Sequence, residues 1–339
     1  MDRLRVGVIG VGQMGEKHAE VYSRLANCEL VALADPRLEH CENVAERLGA
    51  SAAVGDYQDL LARDDVQAVS ICTPDESHRA PVLAALEAGK HVLLEKPLAT
   101  DLEEAEEIAN AVEQTDLKLM VAYLLRFDPR YVAVRDAIDR GDLGELLYII
   151  SHRNSPHTEG PKRYKQGTSL TMHVAAHDLD LIWWLTGWQP ECVHATASTK
   201  LLRAKDMHDA ASAVMTFKGG AFASVNYGWA LPDSSTTRLD ARMEIVGTKG
   251  AAYVGVYHEQ AVLISRDGGI DSPDVHHAPT VGGEVRGDLR EEIMAFVHCV
   301  HHDEPSPVPA RDALQSLYMA RAIEQSIASA RTQRIQDSL

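Results

Sequence analysis

The stretch Leu-Arg-Val-Gly-Val-Ile-Gly-Val-Gly-Gln-Met-Gly, residues 4–15, decides the fold of this chain. Its first half, residues 4–9, is an apolar run that predicts a buried strand, and a G-x-G-x-x-G turn follows directly. Gly10 permits a tight turn, Gly12 lets a pyrophosphate approach the backbone, and Gly15 lets the next helix pack closely on the strand. In this setting the motif predicts a dinucleotide-binding site, with the pyrophosphate at the N-terminus of the helix.

The second predicted strand extends this site, because it ends at Asp35, twenty residues after Gly15. A carboxylate there can accept hydrogen bonds from both ribose hydroxyls and repels a 2′-phosphate, which favours NAD over NADP. Arg37 carries a guanidinium that could pair with a 2′-phosphate, so NADP stays open as an alternative. We also expect Gln13 and Met14, in the first turn of the helix, to contact the cofactor.

Residues 4–123 alternate short apolar runs with amphipathic segments of helical length, which is the pattern of a parallel sheet covered on both faces. Thr100 and Glu103 have the spacing of a capping box and predict the start of one helix. The predicted strands are 4–9, 29–34, 68–72, 91–94 and 118–122. The predicted helices are 14–25, 38–48, 78–88 and 102–113.

The pattern changes beyond residue 125, where several strand-like runs between about 146 and 264 are separated by glycine-containing turns. Helices are predicted at 172–185, 291–301 and 311–330. The fold class is therefore α/β plus α+β: a Rossmann domain over residues 1–124, then a domain over 125–339 built on a mostly antiparallel open β-sheet. We expect the second domain to bind substrate and to mediate oligomerisation, and its last helix to pack back on the first domain.

Composition restricts the class of protein. A chain of 339 residues suffices for about two domains, and its formal charge of -17 is dispersed without a Lys/Arg cluster, which argues against nucleic acid as a partner. No apolar run approaches the roughly 20 residues of a membrane span, and residues 1–5 lead straight into a strand without an export signal. Five scattered cysteines without a C-x-x-C pair predict thiols of a reducing cytoplasm rather than disulfides or a zinc site.

Polar residues follow two of the predicted parallel strands. Thr73, Pro74 and His78 come after one strand, and Glu95-Lys96-Pro97 comes at the end of the next. Ligands of open parallel sheets bind outside the carboxyl ends of the strands. We therefore expect all of these residues to border the cofactor, with Lys96 as the residue that does chemistry.

With these motifs the chain resembles the glucose-fructose oxidoreductase and inositol dehydrogenase (Gfo/Idh/MocA) family. The resemblance covers nearly the whole chain, because further family landmarks occur in the right order. These landmarks are Ala88-Gly89-Lys90-His91-Val92, Arg126-Phe127-Asp128-Pro129, His177-Asp178-Leu179-Asp180 and Gly247-Thr248-Lys249-Gly250. The resemblance implies an NAD(P)-dependent dehydrogenase or reductase that acts on CH–OH groups of a polyol, cyclitol, sugar or sugar derivative.

The resemblance also assigns roles to individual residues. It places Lys96 beside the nicotinamide and the substrate hydroxyl, and it makes His177 the general base, since an imidazole titrates near working pH. Where the family usually has an aspartate four residues before this histidine, this chain has His173, which could contact substrate, relay a proton or only pack. Asp180 matches a family position as a candidate substrate contact. Arg126 matches a position that lines the cleft, with a surface ion pair as the alternative.

A metal site is the alternative interpretation of the histidines. His173 and His177 have the i, i+4 spacing of metal ligands, and His152 and His157 could supply further ligands. No thiolate or glutamate completes the usual pattern, so we expect no metal.

Two other functions are compatible with the same residues. One is a glycosidase that oxidises a sugar transiently with bound NAD and restores the cofactor, and the other is a catalytically silent NAD-binding sensor. The sensor hypothesis is motivated by His173 in place of the aspartate. Because one face of the second sheet would be exposed in a single copy, we also expect a homodimer or homotetramer formed through that sheet.

Overall fold

The computed structural model describes residues 3–164, 168–203, 207–235, 239–255, 264–266, 269–271 and 277–335. The chain divides into two compact units, one of residues 1–127 with 276–314 and one of residues 128–275 with 315–339. The first break lies close to the expected boundary at 124/125. The segment 276–314, however, belongs to the first unit, because its long helix packs on that unit's own elements. Within the described residues, no helix is long and apolar enough to cross a membrane.

The first unit contains a six-stranded parallel sheet in the order β3-β2-β1-β4-β5-β6. The strand order reverses between β1 and β4, and in such sheets this point opens a crevice at the carboxyl ends of the strands. The elements are β1 (Leu4–Ile9), α1 (Gln13–Arg24), β2 (Cys28–Ala34), α2 (Leu38–Leu48), β3 (Ala52–Val54), α3 (Tyr57–Leu61), β4 (Ala68–Ile71), α4 (Arg79–Glu87), β5 (His91–Glu95), α5 (Leu102–Glu113) and β6 (Leu119–Ala122).

The predicted parallel strands and their helices are confirmed to within a few residues. The sequence patterns missed β3 and α3, because three and five residues are too few to show a periodicity. The capping prediction was wrong by one residue: Asp101 is the N-cap of α5, and its carboxylate accepts hydrogen bonds from the backbone N–H groups of Glu103 and Glu104. A carboxylate beside two amides is the better N-cap, so Thr100 is left outside the helix.

The second unit contains a seven-stranded sheet. Its order is β12-β11-β7-β10-β9-β8-β17, and every described neighbouring pair is antiparallel except β7 with β10, which confirms the mostly antiparallel sheet. From residue 129 onward the elements are α6 (Pro129–Asp139), β7 (Leu146–Pro156), α7 (Glu159–Tyr164), α8 (Ala176–Thr186), β8 (Pro190–Ser198), β9 (Ala210–Phe217), β10 (Phe222–Leu231), β11 (Asp240–Gly247), β12 (Ala251–Gly255), β13 (Ile264–Arg266), β14 (Gly269–Asp271), β15 (Thr280–Val281), β16 (Glu284–Val285), α9 (Asp288–His302), α10 (Ala310–Ser329) and β17 (Gln333–Arg334). Of these, β15, β16 and α9 belong to the first unit.

Three helices of this part of the chain differ from prediction. Helices α6 and α7 were missed, although Asp128 caps α6 through the N–H of Arg130 and Pro129 occupies the first turn of α6. The predicted helix 172–185 is composite, since a π-helical segment (Thr171–Ala175) precedes α8. Single π turns inside helices occur frequently at functional sites, and this one carries His173.

Candidate active site

The three glycines of the loop after β1 have different physical roles. The distances from an added Cβ atom to its neighbours distinguish these roles. A Cβ on Gly10, whose φ is +86°, would lie 2.7 Å from the carbonyl oxygen of Cys72. A Cβ on Gly15 would lie 1.8 Å from the carbonyl oxygen of Gly10, which would force α1 away from the loop. Apart from its neighbours along the chain, Gly12 has no heavy atom of the described residues within 4 Å of its Cβ position. Gly10 and Gly15 are thus required by packing, whereas Gly12 borders open space that a pyrophosphate fits.

The N-terminus of α1 adjoins this space. Gly12 is the N-cap and offers no side-chain acceptor to the first turn, in which Gln13 is exposed and Met14 is half-buried. Amide N–H groups at such a helix end favour an anion. Gln13 and Met14 thus lie at this helix end, and their contact with the cofactor stays a prediction.

Asp35, at the end of β2, is a buried carboxylate that is bound from two sides. Its Oδ2 accepts a hydrogen bond from the Val11 N–H at 2.8 Å, and its Oδ1 accepts from the backbone N–H and the Nε of Arg37, both at 2.9 Å. Burial raises the pKa of the Asp35 carboxyl, but these hydrogen bonds outweigh it and hold the pKa below its usual value. Asp35 is therefore ionised at neutral pH, as recognition of ribose hydroxyls requires.

The glycine loop is also held through the carbonyl oxygen of Val11, by residues that the sequence analysis had partly missed. That oxygen accepts hydrogen bonds from Arg37 Nη2 at 3.0 Å and from His40 Nε2 at 2.9 Å. His40 was not predicted as part of the site. Its position in the first turn of α2, one turn after Arg37, was the available signal.

His78 connects the loops that follow β4 and β5. It is 1% exposed, with Nδ1 2.7 Å from the Pro97 carbonyl oxygen and Nε2 3.2 Å from the Thr73 carbonyl oxygen. Burial lowers the pKa of this imidazole, which favours its neutral form. The predicted neighbours Thr73, Pro74 and Pro97 thus lie at one edge of the sheet, and His78 supports that edge from within.

Lys96 lies in a turn whose other members are buried. Glu95 ends β5 and Pro97 follows a cis peptide bond, and both are buried, whereas Lys96 is half-buried. Glu95 Oε2 accepts a hydrogen bond from the Lys96 backbone N–H at 3.2 Å. The lysine side chain is thereby presented at the carboxyl end of the parallel sheet.

His173 and His177 of the second unit share one accessible face. Every residue from Thr171 to Ile182 is buried except these two histidines, which are half-buried. The His173 ring lies beside the buried Trp229, with 6.2 Å between ring centroids. Their exposure agrees with the prediction that both imidazoles occupy one face, although His173 lies in the π-helical segment and His177 in α8.

The neighbouring aspartates face inward. Asp178 binds Arg153 in a buried ion pair, with Nε 2.7 Å from Oδ2, and Asp180 is 0% exposed. Asp178 is thus a structural carboxylate, and Asp180 is fully buried. Arg126 is buried rather than on the surface, since it is 5% exposed. It does form an ion pair, in which its Nη1 lies 2.8 Å from Asp312 Oδ2.

The residues considered for a metal site are engaged separately. His152 Nε2 lies 3.1 Å from Asp240, and His157 Nδ1 lies 3.1 Å from the carbonyl oxygen of Leu231. Among the described residues no group of three or more His, Cys, Asp or Glu side chains could hold a metal ion.

Comparison with known proteins bears on the family and the fold. A family model described as an oxidoreductase family with an NAD-binding Rossmann fold matches residues 4–123, and its C-terminal alpha/beta domain model matches residues 135–335. The myo-inositol 2-dehydrogenase of Thermotoga maritima is 27% identical over 346 residues, 98% of this chain and 99% of that protein. The inositol 2-dehydrogenase of Rhizobium meliloti is 28% identical over 331 residues, 97% of this chain and 98% of that protein.

Solved structures share the whole fold. The scyllo-inositol dehydrogenase of Lactobacillus casei, crystallised with NAD(H) and scyllo-inositol, superposes with a TM-score of 0.85 over 98% of this chain and 99% of that chain. Its sequence identity is 23%, so this likeness concerns the fold. The predicted fold class and the NAD-binding character of the first domain are confirmed.

Proposed function

This chain belongs to the Gfo/Idh/MocA family of oxidoreductases, and we propose that it transfers hydride between NAD and a hydroxyl-bearing carbon of a polyol, cyclitol, sugar or sugar derivative. The observation that carries the proposal is the alignment of three features at the carboxyl edge of one parallel sheet. These are the open space at Gly12, the ionised Asp35 and the half-buried Lys96. Inositol dehydrogenases among the relatives place cyclitols first among the substrates to test.

The cofactor would be held by the glycine loop at its pyrophosphate and by Asp35 at its ribose, and when bound it would accept or donate the hydride. Lys96 hydrogen-bonds the reacting oxygen and stabilises the charge that develops on it. His177 accepts the hydroxyl proton as the C–H bond breaks, and it returns a proton in the reverse direction. The alcohol thus loses a hydride and a proton and becomes a carbonyl.

His173 stands where the family resemblance leads one to expect an aspartate. An aspartate at this position would bring a negative charge close to the general base. An imidazole brings a group that can donate or accept a proton, so we propose that His173 contacts the substrate or relays the proton from His177.

The experiment is absorbance at the NADH wavelength with inositols, aldoses and sugar derivatives, each with NAD and with NADP. Wild type is compared with Lys96→Ala and His177→Asn. The matched control is Lys118→Ala. Lys118 precedes β6 and so lies at the amino end of the parallel sheet, opposite to Lys96, and it pairs with the exposed Asp303. We expect a rise in NADH that both site variants lose and the control keeps. Sugar release from a glycoside without net NADH would instead indicate the redox-neutral glycosidase, and cofactor binding without turnover would indicate a sensor.

We also propose that the protein forms a homodimer or homotetramer through the open face of the second sheet. This face carries exposed apolar side chains on neighbouring strands, including Ile150, Val214 and Phe222, and Phe222 stacks on Tyr148 with ring centroids 5.3 Å apart. Such a face favours association because it removes apolar area from water. Sedimentation should show an oligomer that Phe222→Asp dissociates, and a monomeric wild type would refute the proposal.

A further inference from the structure

Behind the turn that carries Lys96, a continuous chain of buried polar side chains connects α1, β4 and β5. The Tyr22 hydroxyl lies 2.9 Å from Ser70 Oγ, and Ser70 Oγ lies 3.1 Å from His18 Nδ1. His18 Nε2 lies 3.3 Å from Glu95 Oε1, the carboxylate whose other oxygen binds the Lys96 N–H. Tyr22, Ser70 and His18 are 0% exposed, and Glu95 is 9% exposed.

Glu95 is the acceptor at one end of this network. Burial raises the pKa of Glu95, but the hydrogen bond from His18 and the charge of Lys96 lower it below its usual value, so the carboxylate is ionised and only accepts. His18 Nε2 must therefore carry a proton and donate it to Glu95. Its Nδ1 contacts Ser70 Oγ, which also contacts the Tyr22 hydroxyl.

A serine, a histidine and a carboxylate in this order also occur in hydrolytic triads, but no substrate can reach Ser70 in the middle of a parallel sheet. Burying an ionised carboxylate costs several kcal/mol, and apolar side chains would fill the same space at lower cost. Stability alone therefore does not explain why this network of buried polar side chains is present. Its accessible end is the Lys96 turn.

Two buried histidines thus hold the backbone around Lys96 from both sides. His18 does so through Glu95, and His78 does so through the carbonyl oxygen of Pro97. Helix α1, which carries His18, also begins at the glycine loop. We propose that His18 and Glu95 are a positioning pair, which aims the Lys96 ammonium and couples its position to the helix that holds the cofactor. This inference rests on the proposed function of Lys96.

The test compares three variants of the full-length protein. His18→Leu removes the donor to Glu95, and His18→Gln keeps an N–H near the position of Nε2. The matched control is Lys90→Met, because Lys90 is buried at the opposite end of β5 and its Nζ binds the carbonyl oxygens of Arg63 and Val66. For each variant the melting temperature, the Kd for NADH and the kcat on the substrate found above are measured.

We expect His18→Leu to lose at least about tenfold in kcat while the Kd for NADH changes by less than about twofold, because displacing a catalytic group by an ångström is sufficient. His18→Gln should recover most of the kcat. Lys90→Met should lower the melting temperature without a comparable loss of kcat. A kcat that follows the melting temperature across all three variants would overturn the proposal, and so would a His18→Gln variant as poor as His18→Leu.

A second measurement separates this inference from the proposed function, because it needs no substrate. The rate at which acetic anhydride modifies Lys96 is followed by mass spectrometry in wild type and in Glu95→Gln. Removing the neighbouring negative charge should make the Lys96 amine easier to deprotonate and raise this rate near neutral pH by about tenfold. If Lys96 is modified at the same rate in Glu95→Gln and in wild type, the inference is overturned, even when a substrate has been found. A faster modification in Glu95→Gln supports the inference, even when no substrate has been found. The titratable groups that face Glu95 are His18, His78, Lys96 and Cys72, and Glu292 of α9 is also near Cys72.

Discussion

The Arg37 guanidinium binds both carboxylate oxygens of Asp35, with Nε 2.9 Å from Oδ1 and Nη2 3.0 Å from Oδ2. Asp35, the carboxylate expected to select NAD, therefore binds Arg37, whose guanidinium could otherwise pair with the 2′-phosphate of NADP. Because the Arg37 side chain is 62% exposed, it can turn toward a ligand without unpacking a core. We therefore expect the charge of Asp35 to set the choice between NAD and NADP.

Asp35→Asn should shift the cofactor preference toward NADP. The substitution removes the charge that repels a 2′-phosphate and releases Arg37 to bind it, so the ratio of kcat/KM for NADP over NAD should rise at least about tenfold. NADPH and NADH fluorescence titrations give the same comparison without substrate. Arg37→Gln is the control, since it keeps the carboxylate and should weaken NADPH binding further. No gain in NADPH affinity in Asp35→Asn would contradict this account of the pair.

Gly12→Ala and Gly15→Ala should separate cofactor binding from folding. Gly12 has an ordinary φ of -88° and open space at its Cβ position, so the alanine variant should melt within a few degrees of wild type. It should nevertheless lose about tenfold or more in NADH affinity, because the methyl group occupies the pyrophosphate space. Gly15→Ala should be destabilised by about 3 kcal/mol, because its methyl group would collide with the Gly10 carbonyl oxygen. Equal melting temperatures for the two variants would argue against these separate roles.

The Arg153–Asp178 pair should matter for stability rather than for chemistry. Asp178→Ala leaves a guanidinium that is 6% exposed without its counter-charge, and the free energy of unfolding should fall by about 3–5 kcal/mol. The double variant Arg153→Met/Asp178→Leu should recover most of this loss. His177→Asn, one residue away on the accessible face, should lower kcat with little change in stability. Urea unfolding and initial rates measure the two effects, and the reverse assignment would contradict the structure.

Asp35 should also make stability depend on pH in the acidic range. Its pKa in the folded protein is lowered relative to the unfolded chain, so its contribution is complete above the unfolded-state value of about 3.9. The contribution is lost as the pH falls through the folded-state pKa. Without cofactor, the difference in melting temperature between wild type and Asp35→Asn should therefore be constant from neutral pH to about pH 5 and should narrow below about pH 4. A difference that grows on acidification would contradict the sign of this shift.

Local signals accounted for much of the site. The strand, the glycines and the spaced Asp35 were predictable because each acts through backbone geometry or chain order, and the His173/His177 face was predictable from helical spacing. The burial of Asp180 and of Arg126 carried no such signal. Each of these depends on which residue from a distant part of the chain packs beside it.

The sequence by itself determined the doubly wound parallel sheet, the glycine loop at the end of β1 and the family, because hydrophobic periodicity and motif order are properties of the linear chain. Only the tertiary structure decided that Arg37 binds Asp35, that Asp178 is sealed by Arg153, and that His18 reaches Glu95 across 77 residues of chain. The reason is physical. Hydrogen bonds and ion pairs depend on distances of about 3 Å between side-chain atoms, and those distances are set by packing rather than by spacing along the chain.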